Sequence, residues 1–399
     1  MKKNPNKQIL ELSEEFLYPK SIIERFLKRY KKRAIKILKA IKTPSEIYTI
    51  RTNTLKISPK NLIEKLKKLG IKAKQHKTLP EAVLLPRKGP SRIPLLKKKV
   101  TIDKFASESV LCGSDLYVPG VKKFDKFKQG DKVTILSETQ IPIAIGLATK
   151  DYKELGNIKK GIVLENVKSL YSIPNLKKSY FYDEGLFYNQ SLPSILTSHI
   201  LNPQKDEIIV DLCAGIGGKT THIAQLMKNQ GQIIAIDRSR NKIKKLNKNS
   251  NRMGIKNISS KIGDAKLLLP EFTNSADRVL IDPPCSALGV RPKLYETKTE
   301  QDIISSAKYQ KYFIHIALKI VKPSGIIVYS TCTLSPEENE LNIKYMVEKF
   351  GCKIIKPNII IGSPGELTDK DIKYNFLQRF YPDLHKTSGF FIAKLEAPK

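Results

Sequence analysis

The second half of the chain predicts an α/β fold in which helices cover both faces of a parallel sheet, a doubly wound arrangement. From Tyr180 onward, apolar runs of strand length alternate with helical stretches, which is typical of such sheets. Several of these runs end in a glycine-rich turn, an acidic residue or a cysteine. Because open parallel sheets bind ligands outside the carboxyl ends of their strands, we expect the functional residues there.

The composition is that of a globular protein with a large excess of positive charge. The 399 residues are 40% hydrophobic and 28% charged, and no apolar run approaches the roughly 18 residues of a membrane span. The formal net charge is +34, and residues 1–100 carry 28 Lys and Arg against 7 Asp and Glu. A basic lobe of this kind indicates a nucleic-acid partner, although a lysine-rich proteome would produce the same excess.

The cysteines indicate a reducing compartment. Their number is odd and none forms a Cys-x-x-Cys pair, which argues against a disulfide framework and against a zinc site. The N-terminus lacks an apolar signal core, so we expect a cytoplasmic protein. Because the cysteines lack the spacing of a zinc site, we expect no bound metal. The five histidines are scattered, and we assign them no role. The cysteines are Cys112, Cys213, Cys285, Cys332 and Cys352.

Residues 1–97 predict a basic, RNA-binding region that is helical at first and then a small α+β unit. Apolar residues recur at helical spacing up to Pro44, opposite a face of lysines and arginines. That face fits a phosphate backbone and a merely solvated surface equally well. Strands are expected at residues 47–55, 71–75 and 82–85, with a helix at 61–69 that Ser58 caps.

In residues 98–175 the sequence pattern changes, and short strands alternate with turn signals. Residues 111–121, 129–133 and 145–146 resemble a PUA domain, a small β-barrel that binds RNA. Any other small β-barrel would show a similar alternation of strands and turns. We therefore expect an RNA-binding, PUA-like unit here, in front of a third domain at residues 180–399.

The first strand of that domain ends in a glycine-rich turn. Residues 208–211 are apolar up to Asp211, and glycines follow at 215, 217 and 218 before a helix. Glycines let a backbone approach a ligand closely, and a helix start offers free N–H groups. Asp237 ends the next strand, 20 residues after Gly217, at the spacing of a carboxylate that binds a ribose. A third strand ends in Gly263-Asp264.

Two later strands each deliver a cysteine. Residues 279–281 lead into Asp282-Pro-Pro-Cys285, and residues 326–329 lead into Ser-Thr-Cys332. A lone cysteine is more often a packed core residue, but two strand ends with one each are hard to explain by packing. Behind Cys332, Ser335, Pro336 and Glu338 predict a helix start, with Ser at the N-cap and Glu at N3.

The glycine spacing does not match the Gly-x-Gly-x-x-Gly of dinucleotide enzymes and resembles that of a class I, Rossmann-like methyltransferase. The strand-end motifs together resemble the NSUN (Sun-domain) family of RNA cytosine-C5 methyltransferases, over residues 180–399. The PUA-like segment resembles the sixth, PUA-containing NSUN branch, which methylates the cytidine at tRNA position 72. The motifs are Asp211-Leu-Cys-Ala-Gly-Ile-Gly-Gly-Lys-Thr-Thr-His222, Asp282-Pro-Pro-Cys-Ser-Ala-Leu-Gly289, Tyr329-Ser-Thr-Cys-Thr-Leu-Ser-Pro-Glu-Glu-Asn339 and Gly389-Phe-Phe-Ile-Ala-Lys394.

The resemblance implies roles for individual residues. Cys332 is the expected nucleophile toward cytosine C6, and Cys285 is expected to help release the product. Asp282 is expected to bind the cytosine edge, and Lys219 to face the base from the cofactor loop. The residues expected to hold S-adenosylmethionine are Cys213, Ala214, Gly215, Ile216, Gly217, Gly218, Lys219, Asp237, Asp264 and Asp282. Relative to the family pattern, the chain has Gly215-Ile216 in place of Ala-Pro and Pro283 in place of Ala.

The expected partner is RNA, in particular the tRNA acceptor end, and the expected state is a monomer. Three other functions remain open. The chain could methylate ribosomal RNA at cytosine C5, methylate an exocyclic amine, or be a non-catalytic RNA-binding or assembly factor that kept the fold.

Overall fold

The structure is a computed structural model that describes residues 5–156, 158–367 and 373–399. Within these ranges the chain forms three sheets, of four, six and eight strands, with helices around them. Among these residues, no helix combines the length and apolarity needed to cross a membrane.

The N-terminal region begins as predicted with helices, α1 Pro5–Phe16, α2 Lys20–Tyr30 and α3 Arg33–Lys42. Their apolar stripes pack on each other and on Leu288 and Leu334 of the large domain. The basic face divides by residue type: Arg29 pairs with Glu366, whereas the lysines stay exposed. The exposed lysines are Lys28, Lys31, Lys32, Lys36 and Lys39.

A small sheet follows, built from β1 Ile47–Thr52, α4 Pro59–Lys68, β2 Lys74–Gln75 and β3 Ala82–Pro86. Strands β1 and β2 both pair antiparallel with β3, so they run parallel to each other with α4 between them, a split β-α-β unit. The predicted cap is confirmed, because the Ser58 side chain accepts a hydrogen bond from the Asn61 N–H at 3.2 Å.

The predicted PUA-like unit is a six-stranded sheet with one helix. In sheet order the strands are β5-β9-β8-β7-β4-β6, and they enclose a core of residues such as Val100, Ile135 and Val163. The elements are β4 Lys99–Ile102, α5 Lys104–Val110, β5 Leu116–Tyr117, β6 Val121–Phe124, β7 Lys132–Ser137, β8 Pro142–Ala148 and β9 Ile162–Ser169.

The large domain is the predicted doubly wound, Rossmann-like sheet, with the strand order β13-β12-β11-β14-β15-β18-β16. The first five strands are parallel, and β18 pairs antiparallel with β15, β16 and β17. The elements are α6 Tyr180–Asp183, β10 Phe187–Asn189, α7 Leu192–Leu201, β11 Ile208–Asp211, α8 Gly218–Leu226, β12 Gln232–Asp237, α9 Arg240–Met253, β13 Ile258–Ile262, α10 Leu269–Phe272, β14 Ala276–Ile281, α11 Glu300–Ile320, β15 Val321–Thr331, α12 Glu340–Phe350, β16 Lys353–Ile354, β17 Gln378–Phe380 and β18 Phe390–Glu396.

Strand β10 joins the large domain to the N-terminal sheet. It pairs antiparallel with β1, with Ile50 opposite Asn189. Only helix α7 and strand β11 separate this strand of the other sheet from the glycine-rich turn that begins after Asp211.

The predicted helix start at Ser335 is wrong. Helix α12 begins at Glu340, with Asn339 as its N-cap residue. Ser335 donates a hydrogen bond to Glu337, and Glu338 turns its carboxylate away from the helix toward the Cys285 loop. Glu338, which completes the capping pattern in the sequence, instead binds Ser286 in a distant segment.

Candidate active site

The glycine-rich turn between β11 and α8 is open on one side and tightly packed on the other. Gly217 has φ +89°, and a Cβ there would lie 2.9 Å from Leu246 Cγ, so only glycine fits. At Gly215, φ is +57° and a Cβ would meet no atom within 4 Å, so the space above the turn is open to a ligand. The glycine at this position, a departure from the family pattern, suits that left-handed conformation.

Asp211 holds the two ends of this turn together. Its buried carboxylate accepts hydrogen bonds from the Cys213 N–H at 3.2 Å and from the Thr220 hydroxyl at 2.7 Å. Burial raises the pKa of Asp211 to about 6, even though the Thr220 hydrogen bond acts in the opposite direction.

The two acidic residues after the next strands lie on the same edge of the sheet. Asp237 accepts hydrogen bonds from the N–H groups of Gly215, at 3.1 Å, and Ser239, at 2.8 Å. Asp264 accepts from the Lys266 N–H at 2.9 Å and is bound by Arg238 and Tyr312. Burial would raise the pKa of Asp264, but these donors outweigh it and lower the pKa.

The two predicted strand-end cysteines face each other. Cys285, after β14, and Cys332, after β15, are each partly exposed, and their Sγ atoms are 3.3 Å apart. The hydrogen bond from the Cys285 thiol lowers the pKa of Cys332 against the effect of burial, and Lys219 and Lys293 add to the lowering. The same bond and burial raise the pKa of Cys285 well above its usual value. Cys332 is thus the favoured thiolate and Cys285 the thiol.

An ion pair stands beside the thiols. Lys219 Nζ donates to Asp282 Oδ2 at 2.6 Å, and the Ser330 hydroxyl donates to Asp282 Oδ1 at 2.7 Å. The Asp282 side chain keeps 29% of its surface exposed, so a ligand can still reach it. The structure therefore brings Cys332, Cys285, Asp282 and Lys219 together.

The remaining predicted residues line the turn in different ways. Ala214 is buried, whereas Ile216 is 46% exposed above the turn. Burial raises the pKa of Cys213 well above its usual value, so this thiol is not poised to react. Cys112 lies in the barrel domain and Cys352 in the core of the large sheet, away from the thiol pair.

Two of the histidines, for which we expected no role, meet a buried carboxylate. Glu81, just before β3, lies 2.5 Å from His199 Nε2 and 2.9 Å from His222 Nε2. Side chains of this kind could share one metal ion. The contact of Glu81 with His199 has hydrogen-bond geometry, whereas the ring nitrogens of His222 make no hydrogen bond within the described part of the chain. Burial lowers the pKa of His222 to about 3, which keeps that ring neutral.

Arg51, on β1, makes a further contact between the N-terminal sheet and the large domain, at the start of α8. The fully buried guanidinium donates to the Gly218 carbonyl at 2.7 Å and to the Thr221 hydroxyl at 2.9 Å. The N-terminal sheet thereby braces the first turn of α8. Each partner lies more than a hundred residues away along the chain, so no local sequence signal announces the contact.

Comparison with known proteins identifies the family. A model described as 16S rRNA methyltransferase RsmB/F matches residues 198–396, a PUA-domain model matches residues 98–170, and an RsmF/B-like ferredoxin-like domain model matches residues 18–92. A tRNA (cytosine(72)-C(5))-methyltransferase of Pyrococcus horikoshii is 44% identical over 96% of this chain and 97% of its own length. The chain belongs to the NSUN and RsmB/F family of RNA cytosine-C5 methyltransferases.

Further relatives support the assignment of the chain to this family. The human tRNA (cytosine(72)-C(5))-methyltransferase NSUN6 is 33% identical over 87% of this chain and 82% of its own length. A crystal structure of NSun6 from Pyrococcus horikoshii with SFG, an analogue of S-adenosylmethionine, is 45% identical, covers 96% of this chain and 99% of that one, and has a TM-score of 0.87. The predicted fold, enzyme class and cofactor are confirmed.

Proposed function

We propose that this enzyme methylates C5 of the cytidine at position 72 of the tRNA acceptor stem, through a covalent bond between Cys332 and cytosine C6. The observation that carries the proposal is the thiol pair, 3.3 Å apart with opposite pKa shifts, beside the Lys219–Asp282 ion pair. Methylation of an exocyclic amine needs no thiol, and neither does a non-catalytic RNA-binding factor. Both alternatives leave this arrangement unexplained.

The first task of the site is to activate C5, a weak nucleophile. The Cys332 thiolate adds to C6, and the ring electrons move toward C5 and N3. Asp282, fixed by Ser330 and Lys219, accepts hydrogen bonds from the exocyclic amine and from a protonated N3. It thereby favours the protonated ring, which accepts the displaced electrons.

S-adenosylmethionine supplies an electrophilic methyl group, and the residues around it serve to bind and orient it. The open turn at Gly215 and the free N–H groups at the start of α8 suit its charged end. Asp237, at the end of β12, is proposed to bind the ribose hydroxyls. Asp264, after β13, is proposed to contact the end of the cofactor opposite its charged end. Ten residues are proposed as contacts: Cys213, Ala214, Gly215, Ile216, Gly217, Gly218, Lys219, Asp237, Asp264 and Asp282.

The second task is release. Once C5 carries the methyl group, its proton passes to a base in the cleft, the C5–C6 double bond re-forms and the C6–S bond breaks. The departing sulfur becomes the Cys332 thiolate, and the Cys285 thiol at 3.3 Å can donate a hydrogen bond to it. Cys285 therefore stabilises the leaving group, which speeds release of the product.

The choice of tRNA is supported by the names of the near-full-length relatives and by the charge of the N-terminal region. The test is methylation of a transcribed tRNA with C72, with U72 in its place, and without its 3′ CCA end, against a ribosomal RNA fragment. We expect 5-methylcytosine only in the C72 tRNA that has its end intact. Equal methylation of the ribosomal fragment would contradict the choice of tRNA as substrate, and only the proposed cytosine-C5 methylation would remain.

We infer that the enzyme acts as a monomer in the cytoplasm. The four groups proposed to do the chemistry come from one chain, so the site needs no second copy. The reaction requires two free thiols, which a reducing compartment maintains.

A further inference from the structure

We propose that Glu338 is a positioning residue that holds the Cys285 loop against the Cys332 segment, so that the release thiol stays within reach of the nucleophile. The proposal rests on the function proposed above, which gives Cys285 the release step. The Glu338 side chain is fully buried, so it does not contact the substrate directly. It can act on the reaction only through its neighbours.

The carboxylate of Glu338 binds the residue that follows Cys285. One oxygen accepts the Ser286 N–H at 2.8 Å, and the other accepts the Ser286 hydroxyl. Both partners lie 52 residues away along the chain, so the contact is between loops and not within one. Two donors from a single residue fix both the position and the orientation of the Cys285 loop.

A second hydrogen bond closes the contact beside the other cysteine. Ser286 Oγ and Thr333 Oγ1 are 2.7 Å apart, and Thr333 directly follows Cys332. A hydroxyl has one proton, and that of Ser286 is used on the Glu338 carboxylate. The Thr333 hydroxyl must therefore donate to Ser286, so the chain of bonds runs from Thr333 through Ser286 to Glu338.

The carboxylate itself is anchored to a rigid frame. Gln310 Nε2, on α11, donates to Glu338 at 2.9 Å and to the Pro284 carbonyl at 3.1 Å, which fixes the other side of Cys285. The Tyr329 hydroxyl, on β15, lies 2.8 Å from Gln310 Oε1 and 2.7 Å from the Glu338 carbonyl. All of these side chains are fully buried, so the frame cannot relax into solvent.

The geometry links this frame to turnover. The hydrogen bond between the thiols depends on the 3.3 Å separation, and displacement by about 1 Å is enough to cost roughly 100-fold in rate. A buried amide in place of Glu338 keeps one acceptor for the Ser286 N–H but loses the negative charge and replaces the other acceptor with a donor. The Ser286 hydroxyl must then turn toward Thr333, and the Cys285 loop loses the charge-assisted hydrogen bonds that hold it. Cys332 can still attack, because it directly follows β15, whose pairing with β14 and β18 does not involve Glu338, but release becomes slow.

The experiment compares Glu338→Gln with Glu337→Gln, a matched variant in the same turn whose carboxylate pairs with Arg25 instead. With tRNA and S-adenosylmethionine, we expect Glu338→Gln to lower turnover about 10–100-fold and to accumulate an RNA–protein adduct on a denaturing gel. The KM for S-adenosylmethionine should stay unchanged. Glu337→Gln should form no excess adduct. Equal adduct in both variants would overturn the proposal. If neither variant forms an adduct, the binding of phenylarsine oxide decides.

A double variant tests whether Glu338 acts through Cys285. If it does, Glu338→Gln combined with Cys285→Ala should lose no more turnover than Cys285→Ala alone. A further loss of the size seen in the single variant would show a merely structural role and contradict the proposal.

A readout without RNA separates this inference from the proposed function. Phenylarsine oxide binds two thiols that are held together, so the wild-type protein should bind it through Cys285 and Cys332, and Cys285→Ala should not. Glu338→Gln should bind it about tenfold more weakly, with unfolding temperature little changed. Loss of arsenical binding without RNA adducts would refute the release chemistry and keep the positioning role. Unchanged arsenical binding would refute the positioning role itself.

Discussion

The ends of β14 and β15 are neighbours in the same parallel sheet, and each carries a cysteine, yet the two thiols have opposite properties. The pKa of Cys332 is lowered by the hydrogen bond from Cys285, and the pKa of Cys285 is raised by that same bond and by burial. Either sulfur can donate this hydrogen bond, so the bond alone does not choose between them. The difference teaches that charged neighbours favour one thiolate. Lys219 and Lys293 lower the pKa of Cys332, whereas the Glu338 carboxylate raises the pKa of Cys285.

The largest effect on methylation should come from removing Cys332, the favoured thiolate. Cys332→Ala should reduce methylation by roughly 1,000-fold or more, because the raised pKa of Cys285 keeps the second thiol protonated and a poor nucleophile toward C6. Incorporation of labelled methyl groups into tRNA measures this loss. Wild-type activity in Cys332→Ala would end the mechanism, and Cys112→Ala, in the barrel domain, serves as the control.

Removing the donor should change the pH dependence of the acceptor. The lowered pKa of Cys332 means that its alkylation by iodoacetamide should reach half its maximum rate below the pH of an ordinary thiol, about 8.5. In Cys285→Ala that midpoint should move upward, because the thiolate loses its hydrogen bond. Peptide mapping across a pH series gives the rate at Cys332 alone. A midpoint that does not move would show that the thiol pair is not coupled.

The acidic residue at the end of β12 should affect cofactor binding and leave the thiols alone. Asp237→Ala removes charge-assisted hydrogen bonds worth roughly 1.5–3 kcal/mol. The affinity for S-adenosylmethionine should fall by about one to two decades, as measured by calorimetry. The alkylation midpoint of Cys332 should not change, and an unchanged affinity would move the ribose contact elsewhere.

The smallest effects should come from the exposed lysines of the N-terminal helical region. Neutralising Lys28, Lys31, Lys32 and Lys36 should weaken binding of all RNAs and reduce the salt dependence, with the slope falling by about 0.7–0.9 per lost phosphate contact. Arg33 is the contrasting control, because it pairs with Asp383 at 2.7 Å and its loss should reduce stability. Titrations at several salt concentrations separate the two effects.

Local signals in the sequence predicted much of the fold and of the site. Strand β11 has the predicted bounds, and the glycine spacing, the acid after β12 and the two strand-end cysteines all lie on the predicted edge. These features are short in sequence, so a pattern of a few residues carries them. Which of the two cysteines is the thiolate was implied only by resemblance to the family, and the cations near Cys332, Lys219 and Lys293, offer a physical reason.

Contacts between distant segments could not be predicted in the same way. Ser335 and Glu338 form a good capping pattern, but burial next to Ser286 offers Glu338 two donors from another loop, and helix α12 starts later. Likewise, nothing near Glu81 in the sequence indicates His199 or His222. Arg29 belongs to the basic face by its spacing, but Glu366 binds it.

The most direct test of the central claim is the fate of Cys285→Ala with tRNA and S-adenosylmethionine. If Cys332 attacks and Cys285 serves release, this variant should accumulate an RNA–protein adduct on a denaturing gel, and mass spectrometry should place the RNA on Cys332. The double variant Cys285→Ala, Cys332→Ala should form none. A Cys285→Ala protein that turns over at the wild-type rate, or an adduct that persists without Cys332, would contradict the division of labour between the two thiols.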